Sequence, residues 1–199
     1  MSANLFGTAE SDKRILVVDF GAQYAQLIAR RVRESNVYSE IVSHELDAEN
    51  FAELKPSGII FSGGPASVNV EGAPKIDPAI YELGVPILGI CYGAQLIAQQ
   101  NGGSVEGNEK GEYGRTVVNV NESGILLSGV ETSTQQVWMS HFDSITSPPE
   151  GAKVTASSDG SPVAVFEEPE KGLFGVQFHP EVQHTPCGQD LLKRFIHDV

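Results

Sequence analysis

The sequence predicts an α/β fold: a mostly parallel central sheet flanked by helices, flavodoxin-like, with a small antiparallel extension. Short apolar runs such as residues 15–18 are typical of strands that are covered on both faces. In the first half, such runs alternate with segments of helical periodicity, which indicates βαβ units. In the second half, short strand-like segments are separated by Gly, Pro and Ser turns, which indicates antiparallel pairing.

The predicted elements follow in chain order. Strands are expected at 15–18, 37–42, 58–61 and 85–90, and helices at 23–33, 48–54, 76–83 and 92–101. Further strands are expected at 116–120, 136–139, 153–156, 163–166 and 174–178, before a terminal helix at 189–196. Residues 1–13 are small and polar and predict a flexible N-terminal arm. Residues 14–199 are expected to form one domain, since roughly 150 residues per domain is usual.

Composition excludes several classes of function. The chain of 199 residues carries 13 Lys and Arg against 26 Asp and Glu, a formal charge of −13, which argues against a nucleic-acid surface. It has neither the apolar run of about 18 residues that a membrane helix needs nor a secretory signal at its start. Only two cysteines, Cys91 and Cys187, are present, so we expect a reducing, cytoplasmic location.

The strongest local motif is Gly89-Ile90-Cys91-Tyr92-Gly93, between a predicted buried strand and a predicted helix. It has the form G-x-C-x-G, the cysteine counterpart of the nucleophile elbow. A sharp strand-to-helix turn would expose the Cys91 sulfur at the start of a helix, where N–H groups favour a thiolate. The alternative is a small buried residue, since free cysteine is commonly a core residue.

A base for this thiol is predicted in Phe178-His179-Pro180-Glu181, at the end of a predicted strand. His179 would take the proton of Cys91, and Glu181 would orient the imidazole. Side chains two positions apart on an extended chain share a face, so both could reach one site. His141 is a rival base, although its default role is structural or substrate-contacting.

The turn Ser62-Gly63-Gly64-Pro65 follows another predicted parallel strand. Backbone N–H groups at Gly63 and Gly64 could stabilise an oxyanion together with the N–H of Tyr92. A phosphate loop is the alternative, but the Lys and Ser/Thr that it requires are missing. We predict no metal site, because the spacing of His179, Glu181, His184 and Cys187 with two prolines does not suit a zinc site on a helix.

With these motifs in place, the chain resembles the class I (triad-type) glutamine amidotransferase domains of GMP synthetases. The resemblance runs from Arg14 to the end, and it is strongest in five segments: VVDFGAQYAQLIARRVRE, FSGGPASV, GICYGAQLIAQQNGG, VWMSH and GVQFHPEVQHT. One departure is visible, because the family commonly has MSHGD where this chain has MSHFD, with Phe142 in place of glycine.

The resemblance implies roles for individual residues. Cys91 matches the nucleophile, His179 the base and Glu181 the orienting acid. Gly64 and Tyr92 match the backbone oxyanion donors. Gln95 matches a side chain that holds glutamine, and Ser140, His141 and Phe142 match the segment that binds the α-amino and α-carboxyl ends of the substrate.

The resemblance further implies that the domain hydrolyses L-glutamine and passes ammonia to an ATP-pyrophosphatase synthetase module, which aminates XMP to GMP. No cofactor is expected in this domain, because ATP and magnesium would bind the synthetase module, in the same chain or as a separate subunit. Two other classes stay open. A different hydrolase, such as a γ-glutamyl hydrolase or a cysteine peptidase, would use the same triad, and a redox or binding module would need the cysteine alone.

Overall fold

The computed structural model describes residues 13–21, 24–64, 67–130 and 133–199, with the backbone alone at 108–110. The predicted flexible arm, residues 1–13, lies outside the described residues except for Lys13, whose Nζ donates to the Ile196 carbonyl at 3.1 Å. The first residue of the predicted helix at 23–33 also lies outside them.

One sheet organises the described chain. Its strands are β1 Arg14–Asp19, β2 Tyr38–Ser43, β3 Gly58–Phe61, β4 Ile87–Ile90, β5 Ser104–Val120, β6 Thr134–Ser147, β7 Lys153–Ser157, β8 Val165–Glu168 and β9 Leu173–Val176. They lie in the order β2-β1-β3-β4-β9-β8-β7-β5-β6. Pairing is parallel from β2 to β9 and antiparallel from β9 to β6. The predicted α/β fold class is confirmed.

Helices cover both faces of the parallel half. They are α1 Ala25–Arg33, α2 Ala48–Glu53, α3 Tyr92–Gln100 and α4 Gly188–Asp198, with a 3₁₀ helix at Pro78–Leu83. The apolar faces of α1 and α4 pack on one side of the sheet, whereas α2, α3 and the 3₁₀ helix pack on the other. Strands β3 and β4 are buried along their whole length, which explains their continuous apolar sequence. No helix in the described ranges is both long and apolar enough to span a membrane.

The predicted α-helix at 76–83 is wrong in type and in its start. Asp77 caps this segment by accepting from the Ala79 N–H at 3.0 Å, and Pro78 occupies the first helical position. Gly84 ends it in the left-handed conformation after six residues. Short connecting segments of this kind are commonly 3₁₀ helices.

The antiparallel half differs from the prediction in the length of its strands. The predicted short strands at 116–120 and 136–139 are parts of one long hairpin, β5 and β6, of 17 and 14 residues. Sequence patterning missed this because glycines at 107, 111 and 114 interrupt the alternation, and a register shift between Gly107 and Glu112 absorbs the irregularity. The predicted strand at 174–178 ends at Val176, so His179 lies in the loop beyond it.

Candidate active site

Cys91 connects strand β4 to helix α3 by itself, because β4 ends at Ile90 and α3 begins at Tyr92. Its backbone has φ 52° and ψ −107°, which is strained for a residue with a Cβ and costs about 1–3 kcal/mol. Such strain is commonly retained where a side chain has to be held at a functional position. The side chain is buried, with 6% of the residue exposed.

The two glycines of the motif are needed because the chain packs against itself at this bend. A Cβ on Gly89 would lie 2.4 Å from the Ala94 nitrogen, and a Cβ on Gly93 would lie 2.5 Å from the Phe61 carbonyl oxygen. Any larger residue would push α3 away from the sheet. The glycines therefore fix the position of Cys91 at the carboxyl edge of β4.

His179 reaches Cys91 because strands β4 and β9 are neighbours in the sheet. The Cys91 N–H donates to the Val176 carbonyl at 2.8 Å, which aligns the two strand ends. The imidazole of His179 is close enough to the Cys91 thiol for the two groups to interact electrostatically, and its Nδ1 lies 2.8 Å from Oε1 of Glu181. The structure thus brings the three predicted triad residues together, although their catalytic roles stay a prediction.

The expected reason for the His179–Glu181 pairing is wrong, because these residues do not lie on an extended strand. They occupy a loop that is fixed by other contacts. Thr185 Oγ1 donates to the His179 carbonyl at 2.7 Å, and Arg31 Nε donates to the Glu181 carbonyl at 2.9 Å. Glu181 is fully buried, so its carboxylate is held in one position behind the imidazole.

The proton affinity of His179 is set by these two partners. Burial alone would lower the pKa of the imidazole, but the hydrogen bonds and the negative charges of Cys91 and Glu181 outweigh it and raise the pKa to about 11. The imidazole of His179 is therefore protonated near neutral pH. An imidazolium in this position can act as a general acid.

Gly64 and Tyr92, the predicted oxyanion donors, line one cavity together with Cys91. Gly64 follows β3, and a Cβ on it would lie 2.7 Å from the Tyr92 ring, so the two residues are adjacent. Gly63 lies beside the imidazole, because a Cβ on Gly63 would lie 3.3 Å from Cε1 of His179. Tyr92 N is at the first position of α3, where N–H groups have no helical acceptor. Their role as oxyanion donors stays a prediction.

A cavity of about 360 Å³ opens beside the sulfur. It is lined by Gly64, Ser67, Cys91, Tyr92, Gln95, Tyr113, Ser140, His141, Phe142 and Asp143. Seven of these ten were predicted from the sequence, and Ser67, Tyr113 and Asp143 were missed. The cavity has the size and the mixed polar and apolar lining of a small-molecule site. His179 and Glu181 do not line it but lie behind Cys91.

Strand β6 forms one wall of this cavity. The Ser140 carbonyl is 3.7 Å from the Cys91 sulfur, and Gln95 Nε2 donates to the Asp143 carbonyl at 2.7 Å. Ser67 donates to the Asp143 carboxylate from the opposite side. Asp143 was not predicted, and the only sequence signal for it was its position directly after the MSHF segment.

Phe142 does not strain the wall. It lies within β6 and is not among the non-glycine residues of positive φ. Its side chain is half-exposed at the mouth of the cavity. The glycine that the family commonly has here is therefore not required by the backbone of this chain.

His141, the rival base of the sequence analysis, has an acidic partner that is distant in sequence. His141 pairs with Glu112 across the β5–β6 hairpin, and its Nε2 lies 3.3 Å from the Glu112 carboxylate. Burial alone would raise the pKa of Glu112, but hydrogen bonds from His141, Ser161 and Ser158 lower it to about 2. Sequence spacing could not find this pair, because 29 positions separate its members.

The side chains around the thiol also bear on whether the site could hold a metal ion. In the part of the chain that the structure describes, no three His, Cys, Asp or Glu side chains are grouped so that they could hold a metal ion. His179 and Glu181 are instead hydrogen-bonded to each other.

A doubly wound sheet with a thiol, an imidazole and a carboxylate aligned at its carboxyl edge defines an α/β protein with the geometry of a cysteine-nucleophile enzyme. The family model of class I glutamine amidotransferases matches residues 16–199. The chain therefore belongs to the class I glutamine amidotransferase family.

Curated relatives match nearly all of this chain. The chain is 54% identical over 191 residues to a glutamine-hydrolyzing GMP synthase of Nocardia farcinica. The aligned part is 96% of this chain and 36% of that protein. The chain is also 54% identical over 197 residues to the enzyme of the same name from Mycobacterium leprae, covering 99% and 37%. The chain thus spans little more than a third of the length of these relatives.

Solved structures resemble the fold. A Thermoplasma acidophilum protein, provisionally named as part of a GMP synthase, superposes with a TM-score of 0.83 at 34% identity, covering 92% of both chains. A Thermotoga maritima glutamine amidotransferase superposes with a TM-score of 0.72 at 18% identity, covering 94% of this chain and 97% of that one. The second similarity supports the fold alone.

Proposed function

We propose that this chain is the glutaminase half of a GMP synthetase, and that it hydrolyses L-glutamine to glutamate and ammonia at Cys91. The observation that carries the proposal is the grouping of Cys91 with the hydrogen-bonded pair His179–Glu181 beside a cavity of amino-acid size. Membership of the amidotransferase family supports glutamine as the substrate.

The reaction begins with attack of the Cys91 thiolate on the side-chain amide carbon of glutamine. The N–H groups of Gly64 and Tyr92 stabilise the resulting oxyanion. The imidazolium of His179 gives its proton to the departing nitrogen, the C–N bond breaks, and ammonia leaves a γ-glutamyl thioester. Glu181 holds the imidazole in position throughout.

Water completes the cycle. Neutral His179 takes a proton from a water molecule, which attacks the thioester carbon. The C–S bond then breaks and glutamate is released. This step restores the thiolate of Cys91 and the imidazolium of His179. The balance is one glutamine and one water consumed for one glutamate and one ammonia. This chemistry uses only side chains and backbone of the chain itself.

The contacts to the rest of glutamine are assigned to the walls of the cavity. Gln95 and the segment of Ser140, His141 and Phe142 bind the α-amino and α-carboxyl ends. Asp143, which is nearly buried, adds a carboxylate that suits the ammonium group. A substrate of this size fits the cavity of about 360 Å³, since small-ligand sites begin near 300 Å³.

The test is glutamate release by purified protein. Cys91→Ser is expected to remove essentially all turnover, because a hydroxyl is not ionised by the neighbouring His179. Cys187→Ser is the matched control, since Cys187 lies at the start of α4 and not at the cavity. A Cys91→Ser protein that still released glutamate at the parent rate would contradict the proposal.

The ammonia is proposed to pass to an ATP-pyrophosphatase module that aminates XMP to GMP, with ATP and magnesium bound there. Support comes from the relatives named GMP synthase, of which this chain matches little more than a third. Both cysteines are free, which suits the cytoplasm that we propose as the location.

Coupling to that module is tested by measuring glutamate release with and without the synthetase region from the same organism. We expect weak activity alone and a higher rate with the module, ATP, magnesium and XMP. An unchanged rate of glutamate release would count against coupling. The glutaminase assignment would not be affected, because the Cys91→Ser variant tests it separately.

A further inference from the structure

A buried polar cluster adjoins the cavity wall, and the mechanism above uses only one of its members, His141. Its members are Glu112 on β5, His141 on β6, and Ser158 and Ser161 in the turn between β7 and β8. Ser161 is fully buried, His141 is 5% exposed, and the Glu112 side chain is 11% exposed.

The Glu112 carboxylate is the acceptor at the centre of this cluster. Ser158 Oγ donates to Oε1 at 2.8 Å, and Ser161 Oγ donates to Oε2 at 2.7 Å. His141 Nε2 lies 3.3 Å from Oε2 and 3.2 Å from the Ser161 hydroxyl. One carboxylate thus joins the β5–β6 hairpin to the β7–β8 turn.

The backbone around the carboxylate is shaped to receive it. A Cβ on Gly160 would lie 2.6 Å from Cγ and 2.7 Å from Cδ of Glu112, so only glycine fits there. The Gly160 carbonyl accepts from Ser144 Oγ at 2.8 Å, which ties the turn to β6 a second time. A buried charge with these hydrogen bonds is costly to leave without its partners.

The stretch of β6 that the cluster holds is also the substrate wall. Residues 140–143 all line the cavity, and the Ser140 carbonyl lies 3.7 Å from the Cys91 sulfur. Nothing in the cluster contacts His179 or Glu181 among the contacts of the described residues. Displacing residues 140–143 would therefore change the cavity directly, whereas the loop of His179 meets β6 at Trp138, whose carbonyl accepts from the His179 N–H at 3.0 Å. The hydrogen bond between the imidazole and Glu181 does not involve β6.

We propose that Glu112 is a positioning residue for glutamine binding, which holds His141 and the cavity wall at residues 140–143 in place together with Ser158 and Ser161. It touches no substrate atom and acts through His141. This inference rests on the proposed glutaminase function. Glu112 therefore affects the affinity for glutamine rather than the rate of the chemical step.

The first measurement is the steady-state kinetics of glutamine hydrolysis. Glu112→Ala is expected to raise KM for glutamine about tenfold or more while kcat stays within about threefold. Glu112→Gln keeps the shape but not the charge, so its KM should lie between those of the parent and Glu112→Ala. Glu106→Ala is the matched control, because Glu106 is an exposed glutamate of the same strand. We expect no change in that variant.

The second measurement separates binding from reactivity by labelling Cys91 with two reagents. A glutamine-like diazo ketone needs the substrate wall, whereas iodoacetamide needs only the thiolate. Glu112→Ala should slow labelling by the diazo ketone about tenfold and leave labelling by iodoacetamide within about twofold. Peptide mass spectrometry distinguishes modification of Cys91 from that of Cys187.

Each outcome decides the matter. Equal slowing of both reagents means that Glu112 supports the fold generally, and unchanged rates with both mean that it does not position the wall; either result overturns the inference. If Glu112→Ala does not fold, Ser161→Ala removes one hydrogen bond to the carboxylate and should raise KM about twofold to fivefold. Failure of the parent protein to take the diazo ketone at Cys91 would overturn the proposed function itself.

Discussion

At the scale of single residues, the site depends on a histidine whose proton is stabilised by its neighbours. Cys91 has a strained backbone, and its thiol interacts with His179, whose pKa is raised to about 11. The folded protein therefore binds the His179 proton more tightly than the unfolded chain does, and this difference stabilises the fold. The stabilisation is fully present below the usual histidine pKa, and it is lost as the pH rises through the raised pKa of His179.

Glu181→Gln is expected to bring the alkaline limb of the kcat/KM profile toward neutral pH by about one unit or more. The reason is that removal of the carboxylate charge lowers the pKa of His179, so the imidazolium loses its proton earlier. The measurement is the pH dependence of glutamate release. An alkaline limb that does not move would contradict the role of Glu181 in holding that proton.

Phe142→Gly is expected to give no gain in activity, because the backbone at Phe142 has no positive φ to relieve. Glycine in the strand should instead lower the free energy of unfolding by about 1 kcal/mol. Denaturant unfolding and glutamine kinetics measure the two effects, with Phe142→Ala as the control for loss of the ring. A clear rise in kcat/KM for the glycine variant alone would mean that Phe142 strains the wall.

At the scale of elements, the bend between β4 and α3 decides where the thiol lies. The bend is possible because α3 packs closely on β3 and β4, with Gly89 and Gly93 at the contacts. The neighbouring strand β9 then supplies the loop of His179. Gly64, the thiol and the imidazole follow three parallel strands, β3, β4 and β9, at one edge of the sheet.

Gly93→Ala is expected to lower the free energy of unfolding by about 1–3 kcal/mol, because the new methyl would lie 2.5 Å from Phe61 backbone and side-chain atoms. It should also lower glutaminase activity by moving α3 and the Tyr92 N–H. Gln99→Ala, at an exposed position of the same helix, is the control. Parent-like stability and activity in Gly93→Ala would show that the bend tolerates a side chain.

At the scale of the whole molecule, the sheet has two halves of different character. The parallel half is covered by helices on both faces, whereas the long hairpin β5–β6 ends the sheet at one edge. The cavity lies between the two, with Cys91 on one side and β6 on the other. The parallel half, which helices cover on both faces, thus holds the nucleophile, and the β5–β6 hairpin at the edge holds the substrate wall.

Amide hydrogen exchange is expected to be slowest in β1, β3, β4 and β9, because these strands are central and buried. Exchange should be faster in β2 and β6, since each has one unpaired edge. Bound glutamine-like inhibitor should protect β6 around residues 140–143. Mass spectrometry of exchanged peptides measures these rates. Faster exchange in β4 than in β6 would contradict the difference between the central strands and the edge strands.

The sequence by itself determined the fold class, the position of the elbow and the identity of the three residues that meet there. These signals are local: apolar runs, glycines beside a cysteine, and a short HPE segment. The tertiary structure alone decided the pairing of β4 with β9, the long hairpin, and the partners Asp143 and Glu112. Strand order and hairpin register depend on packing between distant segments, and local patterns carry no information about which distant segments meet.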